Sequence, residues 1–257
     1  MPTNRGMHDQ SWTIGILCYN EAGTIRTVVE RALAVLRQMT SSFEILVVDD
    51  GSSDGSTALI QELGDEYPEV KPIIFEKNKG IGAGLNYIYS NGKCENVIAT
   101  AGDGQFDVAE LLAFKAFPEN SFISFFRKEN TVYSGYRNAL SFINKEINAR
   151  MLGITVKDVN WAQVYKSNHL QQLDLQLTSS LVGSEICAKL LYLGVKIIHS
   201  ESVYLPRTYG KSKGSNFKTV VKAVKDILIL INVMKRFKSR RRRNELANHF
   251  DEKKHNQ

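Results

Sequence analysis

Four groups of polar, acidic and glycine residues follow four successive apolar runs in the first 105 residues of the chain. Their carboxylates can accept hydrogen bonds from a nucleoside, and one of them can hold a divalent cation on a diphosphate. Any one group is explained as well by a turn or a helix cap, but four in order favour a nucleotide site. The groups are Tyr19-Asn20-Glu21, residues 49–56 beginning with Asp49-Asp50, residues 78–84 with Lys79-Gly80, and residues 102–105 with Asp103 and Gln105.

The apolar runs before these groups predict buried strands of a mainly parallel α/β sheet. Between the first two strands we predict an amphipathic helix, because apolar residues from Ile25 to Leu36 recur at helical spacing. Such alternation places helices on both faces of a sheet, and ligands bind beyond the carboxyl ends of its strands. The predicted strands are Ile14–Leu17, Ile45–Val48, Ile73–Phe75, Val97–Ala99 and Phe122–Phe126.

The pattern changes past residue 130. It predicts two further helices, two further strands, a loop rich in glycine and lysine, and a final amphipathic helix. These elements are a helix over 135–151, a strand over 161–165, a helix over 183–193, a strand over 195–204, a loop over 209–215, and a helix from Phe217 into the basic run at 235–243.

The ordered motifs resemble those of the family 2 glycosyltransferases of the GT-A fold, and among them the dolichyl- and polyprenyl-phosphate glycosyltransferases. The resemblance covers residues 12 to about 215. It implies a GT-A catalytic domain over residues 1–215 and an amphipathic helix with a basic tail over residues 216–257. The segments that carry it are ILCYNE, EILVVDDGSSDGST, NKGIGAGLN, TAGDGQFD, VKDVNWAQVYK and LPRTYGKSKGS.

The resemblance also implies a donor site with a divalent cation, Mg²⁺ or Mn²⁺. Asp103 and Gln105 would meet the diphosphate and the cation. The sequence departs from the family pattern twice, because Leu17 replaces a proline and Ala101 replaces the first aspartate of an Asp-x-Asp pair. We expect Asp103, Gln105 and the diphosphate to suffice for the cation. The residues implied around the nucleotide are Tyr19, Asn20, Glu21, Asp49, Asp50, Lys79 and Gly80.

On the acceptor side, the resemblance implies that Arg127, Arg137 and Ser141 grip a lipid phosphate. Arg137 and Ser141 are four residues apart, so they share one face of the predicted helix, which a solvated polar face would also explain. A phosphate monoester is already largely ionised near neutrality and needs no strong general base. The sequence shows no strong candidate for a general base on the acceptor side, where Asp158 and Glu185 are the nearest acids. This weak signal favours a phosphate acceptor. The resemblance implies inverting displacement of the nucleoside diphosphate.

The loop after residue 205 is predicted to be a lid over the donor diphosphate, since its glycines permit hinging and its basic side chains can neutralise leaving-group charge. A solvated loop is the alternative. The lid residues are Arg207, Lys211, Ser212 and Lys213.

The charge of the chain predicts its location. The net charge is +6, but residues 235–243 alone carry seven basic side chains, so the rest is nearly neutral. Widely spaced cysteines and a polar start without an apolar segment indicate a cytoplasmic protein, peripheral at the membrane. The expected partners are a nucleoside-diphosphate sugar, a polyprenyl phosphate, and an anionic membrane surface or a membrane protein, but not nucleic acid. A homo-oligomer, a hydroxyl acceptor and a non-catalytic nucleotide-sugar-binding protein stay open.

Overall fold

A computed structural model describes residues 10–127, 153–207 and 225–243 of the chain. Its centre is a seven-stranded sheet in the order β3-β2-β1-β4-β6-β5-β7. The four strands β1 to β4 are parallel, and β5 and β7 are parallel to each other. Strand β6 is antiparallel to both of its neighbours. The strands are β1 (Trp12–Cys18), β2 (Phe43–Asp49), β3 (Val70–Ile74), β4 (Asn96–Ala101), β5 (Ser121–Arg127), β6 (Gln163–Lys166) and β7 (Lys196–Ser202).

Helices cover both faces of this sheet, and each buries an apolar stripe. Helix α1, for example, buries Ile25, Val29, Leu33 and Leu36 at helical spacing. The helices are α1 (Ile25–Met39), α2 (Ser56–Glu66), α3 (Ile81–Asn91), α4 (Ser167–Gln171), α5 (Val182–Tyr192) and α6, whose described part covers 225–243, together with a 3₁₀ helix at Val108–Phe114.

The two faces of the sheet form two apolar cores. One core packs α1, α2 and the 3₁₀ helix against the sheet around Trp12. The other packs α3, α5 and α6 around Tyr165, and it includes Leu230 and Met234 of α6. Within the described ranges, no helix has both the length and the apolar character needed to cross a bilayer.

The strand directions bring the predicted site residues to one edge of the sheet. Because β6 runs antiparallel to both β4 and β5, strands β4 and β5 point the same way. The carboxyl ends of β1, β2, β4, β5 and β7 therefore lie along a common edge. Cys18, Asp49, Ala101, Arg127 and Ser202 end these strands.

The structure confirms the mainly parallel α/β sheet and shifts several predicted boundaries. Strand β3 runs over Val70–Ile74 and not over 73–75, because its start pairs with Ile45 of β2. The strand expected over 161–165 is β6, which lies two residues later. The strand predicted over 195–204 ends at Ser202. The predicted helix over 135–151 and loop over 209–215 lie outside the described residues.

Candidate active site

The two aspartates at the end of β2 have different surroundings. Asp49 is fully buried, and its carboxylate accepts hydrogen bonds from the Ser52 amide at 3.0 Å and the Thr57 hydroxyl at 2.5 Å. Asp50 is 9 % exposed and accepts hydrogen bonds from the Lys79 amide at 2.7 Å and the Gly80 amide at 2.9 Å. The Asp49 carboxylate therefore shapes the loop after β2, and its predicted contact with the nucleotide stays a prediction.

Close backbone packing holds this loop against the one after β3. Gly51 has a φ of +72°, and a β-carbon there would lie 2.7 Å from the backbone of Lys77 and Asn78. A side chain at position 51 would thus be strained in its backbone and would also clash, so glycine is required. Lys79 lies in the neighbouring loop with its ammonium 4.3 Å from the centre of the Phe75 ring.

The Tyr19-Asn20-Glu21 group is tied to the β2 loop by reciprocal hydrogen bonds. The Asn20 backbone N–H donates to the Ser52 hydroxyl at 2.8 Å, and the Ser53 backbone N–H donates to the Asn20 side-chain oxygen at 2.8 Å. Asn20 has a φ of 56°, a left-handed conformation that asparagine tolerates better than most residues. Tyr19 is 36 % exposed beside this turn. Asn20 therefore positions the loop, and Tyr19 offers an aromatic surface at the site edge.

Asp103 lies just after β4 and contacts Arg207, which follows β7 in the chain. Its carboxylate accepts a hydrogen bond from the Arg207 guanidinium at 2.6 Å and another from the Gln105 amide at 3.1 Å. The same guanidinium lies 3.4 Å from the Glu21 carboxylate. Burial lowers the pKa of Arg207, but its contacts with Asp103 and Glu21 outweigh burial and raise it above the ordinary value. Arg207, which follows β7, therefore connects the loops after β1 and β4 through two ion pairs.

Gln105 connects this centre to the end of β5 through an aromatic cluster. Its side-chain amide donates to the Tyr204 hydroxyl. The ring of Tyr204 lies 5.7 Å from the guanidinium carbon of Arg127, and the Trp161 ring lies 4.8 Å from the same carbon. Arg127 also pairs with the Asp158 carboxylate through hydrogen bonds of 2.8 and 3.3 Å. The donor and acceptor sides predicted from the sequence are thus neighbours.

The two acceptor-side acids predicted from the sequence occupy different places. Asp158 orients Arg127 at the site edge, and its side chain is 18 % exposed. Glu185 is fully buried in α5, where it accepts hydrogen bonds from the Gln176 and Leu177 amides and from Lys189 at 2.6 Å. Glu185 therefore holds the loop before α5, and its role on the acceptor side stays a prediction. Arg137, Ser141, Lys211, Ser212 and Lys213 lie outside the described residues.

A buried thiol and a cavity border the site. Burial raises the pKa of the Cys18 thiol to about 11, so this thiol stays protonated at neutral pH beneath the β2 loop. A cavity of about 270 Å³ lies behind Gly104, between α1 and Leu205-Pro206. Its lining contains neither Asp50 nor Asp103, so the loops and not this cavity define the candidate donor site.

The donor set at the end of β4 fits a divalent cation only together with the substrate. In the described ranges, no three histidine, cysteine, aspartate or glutamate side chains cluster closely enough to bind a metal alone. Mg²⁺ sites on phosphate substrates commonly use one or two carboxylates and complete the shell with phosphate oxygens and water. Asp103 and the side-chain oxygen of Gln105 meet that requirement, and the hydrogen bond between Asp103 and the Gln105 amide keeps them adjacent.

Sequence reasoning missed the residues that connect the two halves of the site. Tyr204 and Trp161 were interpreted as ordinary strand or core residues, yet both pack on Arg127. Trp161 is fixed by its indole N–H, which donates to the Ser202 hydroxyl at 2.8 Å. The available signal was Tyr204, an aromatic residue at the predicted end of one strand, together with Arg127 just past the predicted end of another.

Known proteins resemble this chain in sequence or in fold. An undecaprenyl-phosphate 4-deoxy-4-formamido-L-arabinose transferase from Proteus mirabilis is 24 % identical over 210 residues, which cover 81 % of this chain and 64 % of that protein. Glucosyl-3-phosphoglycerate synthase from Mycobacterium tuberculosis, solved with UDP, superposes with a TM-score of 0.63 at 13 % identity over 87 % of this chain and 80 % of that one.

A second solved structure supports the same fold. The mannosyltransferase PcManGT from Pyrobaculum calidifontis, solved with GDP-Man and Mn²⁺, gives a TM-score of 0.55 at 17 % identity over 79 % of this chain and 59 % of that one. These likenesses confirm the GT-A fold. The family model for glycosyl transferase family 2 matches residues 13–159, more than half of the chain. The chain therefore belongs to glycosyl transferase family 2.

Proposed function

We propose that this protein transfers a sugar from a nucleoside-diphosphate sugar to a polyprenyl phosphate with inversion at the anomeric carbon. The observation that carries the proposal is the continuous contact from Asp103 through Gln105 and Tyr204 to Arg127. This contact supports the proposal, because a carboxylate suited to a divalent cation and an arginine suited to a phosphate lie at one sheet edge. The chain spans 64 % of the length of the Proteus relative, whose name states an undecaprenyl-phosphate acceptor.

On the donor side, Asp50 and the loops it joins would hold the nucleoside while Asp103 and Gln105 meet the diphosphate. A Mg²⁺ or Mn²⁺ ion held by Asp103 and Gln105 would neutralise charge on the departing diphosphate. Arg207 lies within reach of the same oxygens, because it is 2.6 Å from Asp103. Its fixed positive charge suits stabilisation of the leaving group.

On the acceptor side, Arg127 would bind the lipid phosphate, with Arg137 and Ser141 completing the grip as the sequence predicts. The Asp158 carboxylate and two aromatic rings fix the guanidinium of Arg127. Arginine binds phosphate through a forked set of donors, and its charge does not depend on pH. An ionised phosphate oxygen can attack the anomeric carbon directly, which agrees with the engagement of the buried Glu185 by Lys189.

Ala101 motivates a second candidate, a nucleotide-sugar-binding protein without turnover. A transferase with a glycan or other hydroxyl as its acceptor is a third. We favour the lipid phosphate because Asp158, the acid at the acceptor edge, is paired with Arg127 and is poorly placed to act as a general base.

Two measurements separate these candidates. Thermal stabilisation by a panel of nucleoside diphosphates, with and without Mn²⁺, would identify the donor. Transfer from the matching sugar donor is then compared between a detergent-dispersed polyprenyl phosphate and soluble hydroxyl acceptors. We expect transfer to the lipid phosphate alone. Stabilisation by a nucleotide without transfer to either acceptor class would favour the binding protein.

Arg137→Ala tests the acceptor grip. Loss of a charge-assisted hydrogen bond costs about 1.5–3 kcal/mol, so the KM for polyprenyl phosphate should rise roughly ten-fold or more while the donor KM stays unchanged. Arg37→Ala, on an exposed position of α1, is the matched control. Steady-state kinetics with each substrate varied in turn gives both constants. A rise in the donor KM alone would place Arg137 on the wrong side of the site.

A further inference from the structure

Helix α6 has a buried face and an outward face, and the two differ in chemistry. Leu230 and Met234 are 0 % and 3 % exposed, and Ile227, Ile231 and Phe237 pack against the same core. Of the apolar stripe predicted from the sequence, Ile227, Ile231 and Met234 therefore pack on the catalytic domain, whereas Leu228 faces outward. The outward face covers a little under half of the helix circumference and consists of Lys225, Leu228, Ile229, Asn232, Lys235, Arg236, Ser239, Arg240, Arg242 and Arg243.

We propose that this outward face docks on an anionic lipid surface. Six of its ten residues are basic, and the one acidic residue between 225 and 243 is the half-buried Asp226. Arg240 lies 3.8 Å from Asp174, but both side chains are mostly exposed, so water screens this pair. A surface with this charge attracts phosphate headgroups.

The apolar end of the same face decides between lipid and nucleic acid. Leu228 is 59 % exposed and Ile229 is 48 % exposed, and both lie on the same side of the helix as the basic positions, before Lys235 in the chain. Nucleic acid would engage the arginines through its backbone phosphates but would offer nothing to these two side chains. A lipid interface accepts both, because apolar side chains enter the acyl boundary while basic ones stay among the headgroups.

The direction of α6 along the domain suits a helix lying flat on the membrane. Phe237 packs on Tyr192 at 6.0 Å between ring centres, and Tyr192 ends α5 just before β7 begins. Strand β7 then runs to Ser202 at the site edge, so the basic end of α6 lies at the opposite edge. This docking rests on the proposed function, since a domain held on the bilayer along α6 would act on an acceptor that is anchored in the same bilayer.

The test is sedimentation of the full chain with vesicles of phosphatidylglycerol and phosphatidylcholine, compared with pure phosphatidylcholine. We expect binding to the anionic vesicles that weakens at least about ten-fold between 50 and 500 mM salt, and little binding to the neutral ones. Arg236→Glu with Arg243→Glu should lower anionic binding at least about ten-fold. Arg37→Glu with Lys115→Glu, exposed on the opposite face of the sheet, makes the same charge change and should leave binding unchanged.

A second variant tests the apolar end of the face. Leu228→Ser with Ile229→Ser should weaken vesicle binding several-fold without changing its salt dependence. Equal loss in the Arg37/Lys115 control, or binding of a nucleic-acid oligomer but not of anionic vesicles, would overturn the proposal. Transfer to detergent-dispersed polyprenyl phosphate is measured in parallel. Retained transfer with no vesicle binding defeats docking alone, while vesicle binding without transfer defeats only the proposed function.

Discussion

Asp103 and Glu21 both pair with Arg207, and a bound donor would rearrange these ion pairs. In the structure its carboxylate holds Arg207 at 2.6 Å, and the same guanidinium reaches Glu21 at 3.4 Å. A diphosphate brings further negative charge to this point, and it can take guanidinium hydrogen bonds while Asp103 turns to a cation. The ion pair thus keeps both charged groups at the site edge, where the proposed reaction needs them.

Asp103→Asn removes the charge but preserves the shape of this side chain. We expect transfer to fall by on the order of 100-fold or more, as when a single electrostatic stabiliser is lost from an active site. The carboxamide oxygen can still accept the hydrogen bond from the Gln105 backbone N–H, and Arg207 keeps its pairing with Glu21, so the melting temperature should fall by only a few degrees. Initial rates with saturating donor give the loss.

The control for this variant is Asp65→Asn, which removes a carboxylate from an exposed position of α2. Its transfer rate should match that of the unaltered chain. Near-normal turnover in Asp103→Asn would remove Asp103 from the proposed cation site.

Ala101→Asp restores the acidic pair that the family pattern has at the end of β4. Ala101 is exposed and pairs in register with Leu17, two residues before Asp103. A second carboxylate there should tighten Mn²⁺ binding in the presence of nucleoside diphosphate by roughly ten-fold, since carboxylate count tunes the affinity of such sites. Titration followed by electron paramagnetic resonance of free Mn²⁺ measures it. An unchanged affinity would show that position 101 does not face the ion.

At this scale the sequence could place residues at the edge but could not say which way they face. Asp49 and Asp50 are adjacent in the chain, and their side chains diverge as neighbours at a strand end do. Only the structure shows that Asp49 accepts hydrogen bonds from Thr57 and Ser52, while Asp50 accepts them from backbone amides of the loop after β3. The partners lie up to 30 residues away, and no local pattern marks them.

Among the elements, the start of α3 is held by the loop before α5. Glu185 binds the Gln176 and Leu177 amides, and Leu177 in turn accepts a hydrogen bond from the Asn86 side chain at 2.7 Å. Gly82, in the first turn of α3, packs directly against the backbone of Thr178 and Ser179. Helix α3 begins right after Gly80, whose amide binds Asp50. The position of α3 therefore sets the shape of the donor loop.

Gly82→Ala should force α3 away from this loop. The added methyl group would overlap backbone atoms of Thr178 and Ser179, which cannot turn aside as a side chain can. We expect a loss of about 1–3 kcal/mol in the free energy of unfolding, the usual range for overpacking. Urea denaturation followed by circular dichroism measures the change, and donor affinity should fall with it.

Gly183→Ala is the matched control within α5. A methyl group there would meet its nearest neighbour, the Val159 carbonyl, at 3.4 Å, which is ordinary contact. The free energy of unfolding should stay level or rise by about 0.5–1 kcal/mol, since alanine favours a helix over glycine. If the two variants lost equal stability, the tight packing at Gly82 would not exist in solution.

The direction of strand β6 could not be predicted from the sequence. Apolar alternation over residues 161–165 indicated a strand, but pattern alone does not give a direction. The antiparallel pairing with β4 and β5 depends on where the chain enters the sheet after residue 153. The four parallel strands were easier, because each is followed by a helix that returns the chain to the starting edge.

At the scale of the whole molecule, α6 is part of the catalytic body over the residues the structure describes. The periodicity of the apolar residues in this helix fits a stripe buried in a membrane as well as a stripe packed on the domain. Leu230 and Met234 pack in the second core, and the Lys189 ammonium lies 5.2 Å from the Phe237 ring. The predicted boundary at residue 215 lies outside the described residues and stays a prediction.

Leu230→Ala tests this docking in solution. Leu230 is fully buried, so its truncation should cost about 2–5 kcal/mol of unfolding free energy, as for other large-to-small changes in a core. Leu228→Ala removes the same atoms two residues away at a position that is 59 % exposed, and it should cost no more than about 0.5 kcal/mol. Guanidinium denaturation of the full chain in the absence of lipid compares them. Equal and small losses would mean that α6 leaves the domain in water, and the membrane would then be free to take its apolar stripe.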